Sequence, residues 1–312
     1  MNKLIVLTGP TAVGKTGLSI GLAKKINGEI ISADSMQVYK DMDIGTAKIK
    51  KEEMQGVKHY LIDVHDPKED FNVFTFQKMA KDALKEIYEK GKIPIIVGGT
   101  GFYIQALLYD IDFTTEGDDE KIREELTEYL NKNGVDALYK LLYDIDPESC
   151  NVIHKNNTKK VIRAIAFYRS TGTKISEHNE VQKEKESPYD FRYFVLNDER
   201  DKLYNRINDR IDEMIEEGLV GEVEGLLKNG LNETNISMQG LGYKEIVKYL
   251  KGECSLEDAV YELKLNTRHF AKRQLTWFRR EKNVTFIDKS QFKSDEDILL
   301  FMTEDLKAKK II

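Results

Sequence analysis

Cysteine is nearly missing from this chain: Cys150 and Cys254 are the only two in 312 residues. They are far apart and lack C-x-x-C spacing, which excludes a disulfide framework and suits a reducing compartment. The five histidines (His59, His65, His154, His178 and His269) form no H-x-x-x-H or H-x-H pair, so no zinc site is expected. Five prolines leave little room for long extended linkers. No apolar run approaches the roughly 20 residues that span a bilayer. Leu4-Ile5-Val6-Leu7 could open a signal peptide, but it stops after four residues and runs straight into a glycine motif. A cytoplasmic protein with no membrane contact is expected.

The sequence is 40% hydrophobic and 33% charged, the balance of a globular protein with a well-charged surface. Its length allows one large or two ordinary domains. The net charge of −6 argues against a nucleic-acid partner until its distribution is considered. Residues 110–128 are strongly acidic, whereas residues 264–282 carry Lys264, Arg268, Lys272, Arg273, Arg279, Arg280 and Lys282 against the single acid Glu281. A net-negative protein binds phosphate chains when its positive charge is gathered on one surface.

Leu4-Ile5-Val6-Leu7 has the continuous apolar character of a central parallel strand. Gly9-Pro10-Thr11-Ala12-Val13-Gly14-Lys15-Thr16 follows and fits G-x-x-x-x-G-K-[ST] at every required position. Behind it, Leu18, Ile20, Leu22, Ala23 and Ile26 line one side of a helix that Gly28 ends. Strand, glycine loop and helix together make a nucleotide-type phosphate loop. Glycines let backbone N–H groups converge on a phosphate, the helix N-terminus adds positive potential, and Lys15 supplies a full charge. Thr16 is placed to hold Mg2+.

A second strand, Glu29-Ile30-Ile31-Ser32-Ala33, ends at Asp34-Ser35. Groups beyond the carboxyl ends of parallel strands face the ligand crevice, although Asp-Ser after a strand is equally a turn former. Helical spacing over residues 72–90 precedes the strand Ile93-Pro94-Ile95-Ile96-Val97, which runs into Gly98-Gly99-Thr100-Gly101. From Phe113 the pattern turns helical, over residues 120–131, 135–144 and 158–170, until Phe191-Arg192-Tyr193-Phe194-Val195-Leu196 resumes the sheet. The predicted fold is α/β: a nucleotide-kinase-like core with a parallel sheet (residues 1–112 and 190–312), an inserted helical domain (113–189) and C-terminal helices. Arg206 and Arg210, four residues apart, share a helix face. Trp277 and Phe278 read as core, and residues 307–312 as a frayed helix end.

Several words then occur in order: the phosphate loop; Asp34-Ser35-Met36-Gln37-Val38-Tyr39; Asp43-Ile44-Gly45-Thr46-Ala47-Lys48; Leu61-Ile62-Asp63 with Asp66-Pro67; Val97-Gly98-Gly99-Thr100-Gly101-Phe102-Tyr103; Gly242-Tyr243-Lys244-Glu245; and Ala271-Lys272-Arg273-Gln274-Leu275-Thr276-Trp277-Phe278-Arg279. Along nearly its whole length the chain resembles the bacterial tRNA dimethylallyltransferase family. The resemblance implies transfer of a dimethylallyl group from dimethylallyl diphosphate to the N6 amine of an adenosine, with release of diphosphate. That adenosine is position 37, just 3′ of the anticodon, in tRNAs reading codons that begin with U. It also implies Mg2+, an anticodon stem-loop as partner, and a monomer.

Residue by residue, Asp34 matches the family's general base, and Thr11 to Thr16 the diphosphate cradle. Lys15, Thr100 and Arg210 match groups on the diphosphate or near the reacting centre. Asp34, Ser35, Met36, Gln37, Thr100, Arg123, Lys159, Lys160, Val161, Ile162, Arg163, Gln239, Gly240, Leu241, Gly242, Tyr243 and Lys244 fall where the family touches tRNA. Two positions depart from the pattern: many relatives carry Arg at Met36, and the insertion usually reads Gln-Arg-x-x-Arg where this chain has Lys159-Lys160-Val161-Ile162-Arg163. The zinc-finger tail of eukaryotic members is lacking. A small-molecule kinase, a prenyltransferase of free AMP and an RNA-binding NTPase share the phosphate loop, but none accounts for both Asp34 and the basic tail helix.

Overall fold

The computed structural model describes residues 2–113 and 120–312; part of the acidic run at 110–128 therefore lies outside the described residues. The chain divides into two compact units, Met1–Leu108 with Pro188–Ile312, and Tyr109–Ser187. In the first, β1 (Asn2–Thr8) leads through the phosphate loop into α1 (Lys15–Ile26), then β2 (Gly28–Ser32), the two-residue β3 (His59–Tyr60), α2 (Val73–Glu89), β4 (Ile93–Gly98) and α3 (Gly101–Leu108). Asn72 starts α2 by accepting the Thr75 N–H at 3.0 Å, a side-chain cap on an otherwise orphan donor.

The second unit holds α4 (Glu120–Ile145), α5 (Thr158–Thr171) and α6 (Ile175–Glu184). Gly134, at φ 82° and ψ 173°, interrupts α4 where the sequence separates two helices. Leu126, Leu138, Leu142, Val161 and Ile165 form this unit's own core. Asp146, at its base, accepts from the backbone and hydroxyls of both Ser149 and Ser176.

The chain returns to the first unit through β5 (Tyr189–Asn197), α7 (Arg200–Glu217), α8 (Leu219–Lys228), α9 (Tyr243–Leu250), α10 (Leu256–Phe278), β6 (Val284–Asp288) and α11 (Asp295–Ala308). Its strands pair in parallel in the order β3-β2-β4-β1-β5-β6. Leu4, Ile5, Val6 and Leu7 of β1 are each 0% exposed, as an apolar strand covered on both faces should be. The connection after β1 runs to β2 on one side of it, and the chain after β4 crosses to β5 on the other. The topological switch, where such sheets open a ligand crevice, therefore falls at the phosphate loop. Residues 309–312 are not a frayed end: Ile311 is buried, held by its N–H on the Leu306 carbonyl. Phe278 is fully buried in the core, whereas Trp277 is half-buried, packed on Gly101 and edge-on to Phe102.

Two strand ends are tied directly together. The Ala33 N–H donates to the Val97 carbonyl at 2.7 Å, and the Thr100 N–H to the Ala33 carbonyl at 3.2 Å. A Cβ on Gly98 would stand 2.2 Å from the Ala33 oxygen, too close for any side chain. Gly98→Ala should therefore destabilise the first unit by about 2 kcal/mol or more. Gly225→Ala, in α8 with nothing within 4 Å of its added methyl, should instead stabilise by about 0.5–1 kcal/mol. Urea titrations followed through Trp277, the only tryptophan, read both shifts.

Candidate active site

The carboxyl ends of the strands open on a cavity of about 340 Å³ in the first unit. Thr11 and Ala12 of the phosphate loop, Asp34, Ser35 and Met36 after β2, Thr100 after β4 and Arg210 of α7 line it together. Gln239, Gly240, Leu241, Gly242 and Lys244 close another side. Ile207, Ile211, Met214 and Leu263 supply an apolar wall. One face of α7 thus carries the Arg210 guanidinium amid apolar neighbours.

The phosphate loop is shaped by close backbone approach. Gly9, at φ 150°, sits where a Cβ would stand 2.6 Å from the Leu196 carbonyl oxygen at the end of β5. Gly14, at φ 93°, turns the chain into α1. Pro10 and Val13 are buried, and Thr16 is exposed in the first helical turn. The Lys15 ammonium folds back onto the loop, donating to the Gly9 carbonyl at 3.0 Å and the Pro10 carbonyl at 2.8 Å, which leaves its third donor. Burial pushes Lys15 down from its ordinary 10.5 to about 8; the Asp34 carboxylate opposes that shift and the Arg210 guanidinium adds to it. The three groups therefore share one electrostatic environment.

Asp34 does two things at once. Its Oδ1 accepts from the Met36 N–H at 2.9 Å and the Gln37 N–H at 3.3 Å, the turn-forming bonds expected after a strand. Its Oδ2 has no hydrogen-bond partner among the described residues, and the side chain borders the cavity. Arg210 makes no hydrogen bond or ion pair among the described residues, although burial lowers its pKa, with Glu213 opposing and Arg206 reinforcing. A guanidinium stays charged despite such shifts. An unpaired, largely desolvated cation beside a cavity is matched to an anionic ligand.

Gln37 and Tyr243 do not border the cavity. The Gln37 amide donates to the Thr46 and Ala47 carbonyls at 3.2 Å each. Tyr243 is fully buried and donates to Glu222 Oε1 at 2.8 Å. Arg123, Lys159, Lys160, Val161, Ile162 and Arg163 belong to the helical unit; Val161 is in its core, whereas Lys159 and Lys160 are exposed. In the basic tail helix, Lys264 is neutralised by Asp212 at 2.6 Å and Arg268 donates to Asn208 at 3.2 Å. Lys272, Arg273, Arg279 and Arg280 remain exposed.

Sequence reasoning missed Gln274. Its Oε1 accepts the Thr11 N–H at 2.9 Å while its Nε2 donates to the Gly99 carbonyl at 3.0 Å, joining the phosphate loop to the glycine turn. Both contacts reach across more than half the chain, so no local pattern announces them.

The IPP transferase family model matches residues 37–281. Over all 312 residues the chain is 58% identical to a protein named tRNA dimethylallyltransferase from Lachnoclostridium phytofermentans, covering 100% of both. It is 49% identical to the Bacillus cereus protein of the same name over 98% of this chain and 96% of that one. The chain belongs to the tRNA dimethylallyltransferase family. Among solved structures, a full-length tRNA isopentenylpyrophosphate transferase from Bacillus halodurans is 45% identical, with a TM-score of 0.75 over 99% of this chain and 98% of that one. A eukaryotic dimethylallyltransferase acting on tRNA aligns at TM-score 0.86 and 30% identity, over 99% of this chain and 80% of that one. Family membership makes this chain an enzyme, a tRNA prenyltransferase with the kinase-like phosphate-loop fold of its relatives. The family model begins after Asp34, so it is the full-length relatives that extend the likeness through the phosphate loop.

The depressed Lys15 gives a signed pH dependence. A bound diphosphate favours the ammonium, so above pH 8 binding must take up a proton, and affinity falls as pH rises. A phosphate ester's last ionisation lies near 6, so the ligand's own charge is constant there. The dissociation constant of a diphosphate monoester bound at this loop should be level from pH 7 to about 8, then rise toward roughly tenfold per unit. Lys15→Gln should bind more weakly and flatten that rise. Titration calorimetry across pH 7 to 10 checks both.

Proposed function

We propose that this cavity holds dimethylallyl diphosphate against the phosphate loop and receives adenosine 37 of tRNA on the side of Asp34. The observation that carries the reading is the open Oδ2 of Asp34 facing a cavity shared with Thr100, Arg210 and an apolar wall. A diphosphate ester with a five-carbon tail needs that division: cations and N–H donors for one end, hydrocarbon contacts for the other.

In the reaction, the adenine N6 forms a bond to the first carbon of the dimethylallyl group. The bond from that carbon to the bridging oxygen breaks, and its electron pair leaves with the diphosphate. An exocyclic amine is a poor nucleophile, so the Asp34 carboxylate takes the N6 proton as the new bond forms. Lys15, Arg210, the Thr100 hydroxyl and the backbone N–H groups of residues 11–16 stabilise the charge that grows on the leaving group.

The Thr16 hydroxyl is exposed in the first turn of α1 and makes no side-chain hydrogen bond among the described residues. Those residues contain no group of three or more His, Cys, Asp or Glu able to cage a metal ion. One hydroxyl beside a diphosphate fits Mg2+, which keeps waters and leans on phosphate oxygens rather than on a protein cage. When bound, the ion would add positive charge to the leaving group.

The exposed Lys159 and Lys160, with Arg123 and Arg163, serve tRNA from the helical unit, and Ser35, Met36 and the segment 239–244 serve it from the core. Reaching the base requires its extrusion from the anticodon stack. The residues lining the cavity all belong to the first unit, and we take the enzyme to act as a monomer. Among the described residues no helix is long and apolar enough to cross a membrane, and tRNA is met in the cytoplasm, where we place the enzyme.

Asp34→Asn is the decisive variant, because Asn keeps the Oδ1 acceptor that shapes the turn and loses only the proton affinity. Single-turnover rates should fall on the order of 10²- to 10⁴-fold, while affinities for donor and tRNA change little. A variant that binds normally and reacts at wild-type speed would remove Asp34 from the mechanism.

A further inference from the structure

Two adjoining loop segments line the cavity. Gly45, Thr46 and Ala47 line it from one, and Gly240, Leu241 and Gly242 from the other. The first is built only of turns, so its shape depends on side chains reaching it from elsewhere. Gln37 holds its far end through the Thr46 and Ala47 carbonyls, and Lys48 holds Asp43 at 2.6 Å. One carboxylate bonds it to the second segment, which also touches it directly at Gly45.

That carboxylate is Glu222, in the first turn of α8. Its Oε2 accepts from the Asp43 N–H at 2.9 Å and the Ile44 N–H at 2.8 Å. Its Oε1 accepts from the Gly45 N–H at 3.1 Å and the Tyr243 hydroxyl at 2.8 Å. Three successive backbone N–H groups make an anion nest, here filled by the protein's own side chain. The fourth donor anchors the second segment. Burial first, and then the Glu222 charge, raise the Tyr243 pKa, so the phenol stays a donor. A Cβ on Gly45 would stand 2.6 Å from Tyr243 Cζ, so loop and ring already touch.

We infer that Glu222 is a positioning residue for the acceptor: it sets the spacing of the two segments between which the adenosine enters. The inference rests on the proposed reading of this cavity as the tRNA site. Among the described residues Glu222 makes no hydrogen bond to the phosphate loop, Thr100 or Arg210, so its influence should fall on the acceptor and spare the donor. The charge and the two oxygens are both required. A glutamine amide would turn an N–H₂ toward donors that need an acceptor, leaving them unsatisfied.

Glu222→Gln should raise the KM for tRNA on the order of tenfold or more, with the dissociation constant of dimethylallyl diphosphate within about twofold of wild type. Tyr243→Phe removes one of the four bonds and leaves the carboxylate on the loop; the same split should appear at about two- to fivefold. If the glutamine variant does not fold, Tyr243→Phe decides on the same two readouts. An unchanged tRNA KM, or donor affinity lost in parallel with it, would overturn the inference, since a merely structural role moves both or neither. The wild-type assay separates the two possible failures. No prenylated tRNA from wild type defeats the proposed function, whereas active wild type with an unchanged tRNA KM in Glu222→Gln defeats only the role of Glu222.

Discussion

Where β2 and β4 end, the backbones of Ala33 and Gly98 approach so closely that no side chain fits between them. The same few atoms carry the hydrogen bonds from Ala33 to Val97 and from Thr100 back to Ala33. Asp34 and Thr100 therefore leave the sheet from one fixed point. The end of β1 joins them, because the Thr8 hydroxyl donates to the Gly98 carbonyl at 2.6 Å. Backbone contact of this kind has less slack than a layer of flexible side chains. It fixes Asp34 and Thr100 relative to one another, the kind of placement that oriented chemistry requires.

Around that anchor the cavity mixes polarities. The Lys15 ammonium feels the Asp34 carboxylate and the Arg210 guanidinium, and α7 sets Arg210 among Ile207, Ile211 and Met214. Burial desolvates Lys15, which lowers its pKa and strengthens its pull on an anion when charged. The same low dielectric makes unpaired donors expensive. Gln274 and Glu222 answer that cost by satisfying loop N–H groups with side-chain oxygens drawn from α10 and α8.

What could be read in the sequence was whatever local chemistry writes locally. The apolar run of β1, the glycine motif and the helix behind it form one uninterrupted signal, and Gly134 breaks α4 where two helical patterns part. The strands β3 and β6 left little trace, one being two residues long and the other pairing along only one edge. The helix α6, largely polar, gave no stripe to find. At the site, the turn bonds of Asp34 and its place at the mouth of the sheet crevice were both legible, since each follows from an Asp-Ser directly after a parallel strand. The charge count of the tail helix overstated its free cations, because Lys264 meets Asp212 only after folding. Glu222 was invisible for the same reason. Its four donors come from Asp43, Ile44, Gly45 and Tyr243, segments that only the tertiary fold brings to it.

The central claim is that a phosphate loop of nucleotide-kinase type here holds a diphosphate leaving group instead of a transferred phosphoryl group. Its most direct measurement incubates the wild-type protein with Mg2+, unmodified tRNA and either dimethylallyl diphosphate or ATP. Nucleosides from the tRNA digest are then weighed, and released phosphates counted. The account predicts one dimethylallyl unit on the adenosine 3′ of the anticodon and one diphosphate released per tRNA modified, with ATP inert as donor. Unmodified tRNA accompanied by steady release of ADP from ATP would contradict it.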